Sequence, residues 1–286
     1  MYRALVPRHV CLAFVFTLIA LAACGGDELG PRASSVEATV GRAETLAALE
    51  RSEPVPTAAH EVYQGQSDRT DCPEGMLLVE GEYCPDVEQV CEKWLDPPGT
   101  KYAQFRCAKY RKPALCKGER RHARYCIDRT ERREERSELP KSFVSFDSAK
   151  KLCAASGARV CTESEWQFAC EGEEMRPYPY GFERDSSACN VDHTEKLMTR
   201  GRLADHRRPV AENPRCRSPF GVMDMSGNLE EWVAADGSKF GWKQVLKGSY
   251  WIPSRHACRQ FQVGHGPEYG GTETGTRCCK DASTFR

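Results

Sequence analysis

The chain is expected to fold as a loop-rich α+β domain, with two main helices and a few short strands stapled by disulfides. Three observations carry this expectation. An export signal at the front delivers an even, dense set of cysteines to an oxidising compartment. Two segments between residues 145 and 171 show complete helix-capping grammar. After Phe182, Gly, Pro, Asn and Asp are frequent and regular periodicity is sparse, which is the pattern of ordered loops around short strands.

The front of the chain carries Arg3, Arg8 and His9, then an apolar run over 10–22 that is too short to cross a bilayer. Leu21-Ala22-Ala23-Cys24 has the form of a bacterial lipobox, so 1–23 is expected to be a lipoprotein signal peptide and Cys24 the acylated new N-terminus. Several acyl chains on one cysteine hold a protein at a membrane without any spanning helix. An ordinary secretory cut after Ala23 would leave Cys24 a free thiol with no role. Gly25 rather than Asp follows Cys24, so nothing suggests retention at the inner membrane, and the expected place is the outer membrane of a bacterial envelope. Residues 24–71 read as a flexible tether, with Pro54 and Pro56 near its end and a weak helical face of Val36, Val40, Ala43 and Ala47 over 35–51.

The body follows over 72–286, with a cysteine-rich part over 72–131. Setting aside Cys11 in the signal and Cys24 at the anchor leaves fourteen of the sixteen cysteines. An even number in an exported chain is most simply a disulfide framework, each bridge stabilising by about 2–4 kcal/mol. The formal net charge is zero, so no basic field favours nucleic acid. Residues 77–84 and 125–131 read as strands of the core. Between them Cys72, Cys84, Cys91, Cys107, Cys116 and Cys126 punctuate loops without a Cys-x-x-Cys or a histidine pair at ligand spacing, which argues for bridges rather than zinc and leaves their connectivity open.

The first helix is predicted over 147–156, capped by Ser145, with Ala149, Leu152 and Cys153 inward and Gly157 as its left-handed stop. The second opens on the capping box Thr162-Glu163-Ser164-Glu165 and buries Trp166, Phe168, Ala169 and Cys170.

The ordered motifs Phe143-Val144-Ser145-Phe146, Arg159-Val160-Cys161-Thr162-Glu163, Tyr178-Pro179-Tyr180-Gly181, Asn190-Val191, Phe220-Gly221-Val222-Met223-Asp224-Met225-Ser226-Gly227-Asn228-Leu229-Glu230-Glu231-Trp232 and Gly275-Thr276-Arg277-Cys278 together are specific. In them the chain resembles the formylglycine-generating enzyme family, also called sulfatase-modifying factor domains. The resemblance implies a fold distantly like a duplicated C-type lectin and often holding structural calcium. One calcium site would use Asp224, the Gly227 and Leu229 carbonyls, and Glu231. A second would start at Asn190 and Val191, with Asp205 a further candidate. The resemblance also implies bridges between Cys153 and Cys278 and between Cys170 and Cys258, leaving Cys161, Cys189, Cys216 and Cys279 for two more. The adjacent Cys278 and Cys279 join each other only with strain and more easily reach different partners.

The family's oxidase holds copper on two cysteines five residues apart, shortly after a Gly-Ser-Tyr motif. Read from Gly248-Ser249-Tyr250, those positions are Ile252 and Ala257, which cannot bind copper. No catalytic residue carries over. The expected function is that of a non-catalytic binding module, taking an extended peptide or glycan between the segment 250–261 and the loops carrying Trp232 and Tyr269. Exposed Trp251 and Tyr269 would favour binding, and buried ones a purely structural envelope role. The alternative is a metal-dependent oxidase of the family acting on a protein or peptide. His256 and His265, with Glu268 nearby, are candidates for another metal centre, but no His-x-x-x-His pair supports them. A serine hydrolase is disfavoured because Gly-x-Ser-x-Gly is absent.

Overall fold

The computed structural model describes residues 71–100, 103–236 and 241–283. The expected signal peptide, the acylated Cys24, and the tether up to residue 70 with its helix over 35–51 lie outside the described residues. The cysteine-rich part contributes β1 (Met76–Tyr83), β2 (Val87–Glu88), β3 (Cys91–Trp94), β4 (Cys107–Tyr110), β5 (Leu115–Cys116) and β6 (Arg121–Asp128). The middle contributes α1 (Phe146–Ala155), β7 (Arg159–Val160), α2 (Glu163–Glu171), β8 (Met198–Thr199) and β9 (Arg202–Leu203). The rest is β10 (Glu230–Ala234), β11 (Gln244–Lys247), β12 (Phe261–Gln262), β13 (Thr274–Gly275) and β14 (Cys278–Asp281), with loops between them.

Two four-stranded sheets dominate. In the first, ordered β1-β6-β14-β7, every pairing is antiparallel, and β6 is flanked on both edges, so its last four residues are all buried. The second is ordered β12-β11-β10-β13, and only the β10–β13 pairing is parallel. One core cluster joins Val79 and Ile127 of the first sheet to Trp166, Phe168 and Ala169 of α2 and to Val233 and Val245 of the second sheet. Another packs Phe146 and Ala149 of α1 against Trp232 and Leu246. The two helices therefore tie the sheets together through apolar burial, at about 25 cal/mol for each Å² of apolar surface removed from water.

Both helices begin where the capping signals predict. Ser145 and Ser148 form a reciprocal capping box on α1, and Thr162 and Glu165 form one on α2. After α1, Gly157 is left-handed, and its N–H donates to the Ala154 carbonyl. After α2, Gly172 takes φ +65°, and a Cβ there would stand 2.7 Å from the Pro219 ring, so glycine is required.

Seven bridges use all fourteen cysteines of the described residues: 72–126, 84–116, 91–107, 153–278, 161–279, 170–258 and 189–216. Cys153–Cys278 and Cys170–Cys258 are the two pairings the resemblance implied. Strand alternation explains how adjacent cysteines part company. On β14, Cys278 and Cys279 point to opposite faces, one to Cys153 of α1 and the other to Cys161.

Candidate functional site

The turn before β10 is held in a left-handed conformation at Asp224, Gly227 and Asn228, with φ of 59°, 80° and 58°. At Gly227 a Cβ would fall 2.3 Å from the Asn190 carbonyl oxygen, so only glycine lets the two loops touch. The contact is then locked. Asn228 N donates to the Asn190 carbonyl at 3.0 Å, and Asn190 Nδ2 donates to Asn228 Oδ1 at 2.9 Å. Glu131, which sequence reasoning left as the end of a strand, lies under this turn. It accepts from Asn228 Nδ2 at 2.6 Å and from Leu229 N at 3.0 Å.

Asn190, Val191, Asp224, Gly227, Leu229 and Glu231 thus belong to one buried polar assembly. Glu231 is bidentate to Arg277, with Nε to Oε2 and the second guanidinium nitrogen to Oε1 both at 2.6 Å, and Oε2 also accepts from Trp166 Nε1 at 2.7 Å. Asp224 Oδ2 accepts from Ala211 N at 2.6 Å. Burial pushes the Asp224 carboxyl up to about 6. Glu131 is driven well above the usual carboxylate range by burial, then by the charges of Asp224 and Glu231.

Calcium does not fit this donor set as it stands. The ion takes six to eight oxygens, and the strongest anionic ligand of the set is already saturated by a guanidinium and an indole N–H. At the second expected position Asp205 accepts from Arg207 through both oxygens, and Asn190 Oδ1 lies 2.8 Å from His193 Nε2. Among the described residues no three His, Cys, Asp or Glu side chains form a group that could hold a metal.

The other face of β10 opens onto a cavity of about 300 Å³. Two consecutive glutamates in a strand must point to opposite faces, so while Glu231 turns to Arg277, Glu230 lines this cavity. Gly248, Ser249, His256 and Ala257 form part of its wall, and Phe105, Phe261 and Val263 part of its apolar lining. Ala257, at one expected copper position, is therefore in the cavity, while the half-buried Ile252 lies outside its lining.

Burial, with the charge of Arg184, depresses His256 to about 4 and keeps it neutral. Its Nε2 faces the Ile252 carbonyl at 2.9 Å and its Nδ1 the Gly248 carbonyl at 3.3 Å, and the neutral ring, with a single N–H, donates to one of these two backbone oxygens. His265 stacks on Tyr269 with ring centroids 3.8 Å apart.

The cleft expected from sequence needs correction. Trp232 and Trp251 are buried, 1% and 0% exposed, and the half-buried Tyr269 is not part of the cavity lining, so the exposed aromatics expected of a binding cleft are not met at Trp251. Trp232 fills the interior because β10 has core on both faces, Trp232 in one cluster and Val233 in the other, a property set by packing. Two further groups escaped sequence reading, Glu230 and the fully buried Lys247, which sits over the Trp166 ring at 5.5 Å and is depressed to about 8 by burial. The Glu-Glu dipeptide inside a strand was the available signal for the first.

The family model for the sulfatase-modifying factor enzyme 1-like domain matches residues 91–282. Among curated proteins, the mouse inactive C-alpha-formylglycine-generating enzyme 2 is 30% identical over 160 residues, covering 52% of this chain and 51% of that protein. The formylglycine-generating enzyme of Thermomonospora curvata is 25% identical over 174 residues, covering 51% of this chain and 57% of that one. Hercynine oxygenase of Mycolicibacterium smegmatis is 31% identical over 100 residues, covering 34% of this chain and 22% of that protein. The chain thus spans about half the length, or less, of these curated relatives. Among solved structures, that of CarF superposes with a TM-score of 0.49 at 18% identity, covering 73% of this chain and 98% of that chain. With the motif turn, the helix pair and the segment carrying Arg277 between β13 and β14 all inside the matched residues, the chain belongs to the sulfatase-modifying factor, or formylglycine-generating enzyme, family.

Proposed function

We propose that this chain is a non-catalytic binding module of its family, held to the bacterial outer membrane by an acylated Cys24 and taking an extended peptide or a glycan in the cavity beside Glu230. The observation that carries the reading is the state of the cysteines. All fourteen in the described residues are paired, and Ile252 and Ala257 stand where the family's oxidase places its copper thiolates. A copper(I) centre of the family's kind needs two soft thiolates, and an alkyl side chain and a methyl group supply neither. Cys258, next to Ala257, is bonded to Cys170 and is no substitute.

The cavity is suited to ligand capture rather than chemistry. Its lining mixes the apolar Phe105, Leu246, Phe261 and Val263 with more numerous polar and charged side chains, among them Glu230, Arg255 and Gln260, which offers both apolar contact and hydrogen bonding to a ligand. Relatives named as a formylglycine-generating enzyme and as a hercynine oxygenase share part of the chain, so the test must look for oxidation directly. The oxidised full-length chain, supplied with copper(I), oxygen and a cysteine-containing peptide, is expected to consume no oxygen and form no aldehyde. It should also show no free thiol by mass spectrometry of the unreduced body. Aldehyde formation in proportion to enzyme would overturn the non-catalytic reading.

A further inference from the structure

Three buried side-chain atoms among the described residues lack a hydrogen-bond partner: Glu230 Oε1, Lys247 Nζ and Trp251 Nε1. Lys247 Nζ has Glu163 at 3.5 Å and the Trp166 ring beneath it, and the Trp251 indole is sealed in the interior. Glu230 differs from both, because it lines the cavity while being only 1% exposed. What it lacks is not a cation. Burial, with the charge of Glu273, raises its carboxyl to about 8, so at neutral pH it carries its proton. Cations are also already in place nearby, with Arg255 Cζ 5.2 Å from the centre of the Phe105 ring and Lys247 Nζ 5.9 Å from that of Phe261. A protonated carboxyl presents one O–H donor and one carbonyl acceptor side by side. A primary amide matches both, since its carbonyl accepts while its NH2 donates back. An ammonium or guanidinium supplies donors only and a carboxylate acceptors only, and an alcohol carries both on a single oxygen.

The same cavity reaches an open sheet edge. β12 is the outermost strand in the order β12-β11-β10-β13, and its outer side pairs with no strand among the described residues. Residues 261–264 are all exposed, Phe261 by 41% and Val263 by 37%, and both of these side chains line the cavity. An unpaired edge offers a row of backbone N–H and C=O groups that an extended peptide can continue as a further strand. Main-chain pairing then supplies affinity, and a pocket beside the edge selects among alternate side chains. Folds that must keep such an edge unpaired place charges or proline on it, and Phe261-Gln262-Val263-Gly264 has neither. An apolar edge therefore adjoins a cavity whose buried polar group is still without a partner.

We propose that an extended peptide adds to the outer edge of β12 and sends a glutamine or asparagine side chain into the cavity, where its primary amide pairs with the Glu230 carboxyl. The assignment rests on reading the cavity as a binding site for a peptide. It goes beyond that reading by fixing the strand that receives the backbone and the chemistry of the side chain that enters.

The test titrates acetylated and amidated pentapeptides into the oxidised full-length chain by calorimetry at neutral pH, alternating threonine and valine around a central glutamine, glutamate or norleucine. The glutamine peptide is expected to bind about tenfold more tightly than either of the others, the scale of one to two hydrogen bonds. Once bound, it should slow amide exchange over 261–264. Glu230→Gln, which keeps a donor and an acceptor, should retain the preference, and Glu230→Met, which has neither, should erase it. The comparison of peptides within the unaltered chain needs no variant, so a folding defect in either does not blunt it. Tightest binding of the glutamate peptide would make Arg255 the anchor and overturn the assignment. Equal binding of all three would overturn it too, while leaving a peptide-binding cavity. Preference for glutamine without protection over 261–264 would overturn the edge pairing. Binding of none would overturn the assignment and the cavity as a peptide site together.

Discussion

At the scale of single residues, the telling feature is that β10 places two adjacent glutamates in opposite situations. Glu231 meets Arg277, and the pair is bidentate and fully buried. Glu230 faces the cavity, and burial, with the charge of Glu273, pushes it from the usual 4.5 up to about 8. The sign of the linkage follows. Between 4.5 and about 8 the folded state holds a proton that the unfolded state has released, so stability is lost as pH rises through that window and the loss is complete above it. Glu230→Gln removes the effect. The variant is expected to match the parent near pH 4 in denaturant melts and to exceed it by about 3 kcal/mol at pH 9, allowing for relaxation around the site. A difference independent of pH would mean that Glu230 is ionised and satisfied in the folded state.

At the scale of the element, the turn over 224–231 is a polar knot built on left-handed backbone. Apart from the unmatched Oε1 of Glu230, its polar groups are closed by partners from distant segments, with Glu131 taking the side-chain amide of Asn228 and the Leu229 N–H, and Arg277 closing Glu231. Calcium entering at Asp224 and Glu231 would have to displace a guanidinium from a bidentate buried pair, at a cost of several kcal/mol. Adding calcium, or a chelator, is therefore expected to leave the melting temperature of the oxidised chain unchanged. A calcium-dependent rise, abolished by Glu231→Gln, would show that Arg277 yields and that the family's cation site is retained.

At the scale of the whole molecule, most of the described residues lie in loops, and the disulfides stand in for the hydrogen-bonded ladders that longer strands would supply. Cys170–Cys258 closes 88 residues and pins the end of the cavity loop to α2, while Cys153–Cys278 and Cys161–Cys279 bind the C-terminal strand to the helical layer. Replacing Cys170 and Cys258 together by alanine should lower unfolding stability by about 2–5 kcal/mol and loosen the cavity loop first, since that loop contributes only the short β12 to a sheet. Guanidinium melts with hydrogen exchange over 249–263 check this. An unchanged midpoint would mean that packing alone holds the loop.

Both helices, their caps, the strand preceding Cys84, the disulfide framework and the family itself were legible from residue order. Each of these is a local or ordered pattern: Ser145 and Thr162 reach amides three residues on, and an even cysteine count needs no coordinates to suggest pairing. The expected copper positions, Ile252 and Ala257, are likewise read as fixed offsets from Gly248-Ser249-Tyr250. What the tertiary structure alone decided was partnership across long separations. Glu231 is given to Arg277, 46 residues away, rather than left open, and Trp232 and Trp251 are sealed inside rather than displayed. Adjacent Cys278 and Cys279 part to different elements, and Glu230 is left facing a cavity with an unmatched oxygen. Burial and electrostatic partnership depend on which surfaces meet, and in a loop-rich chain no periodicity encodes that meeting.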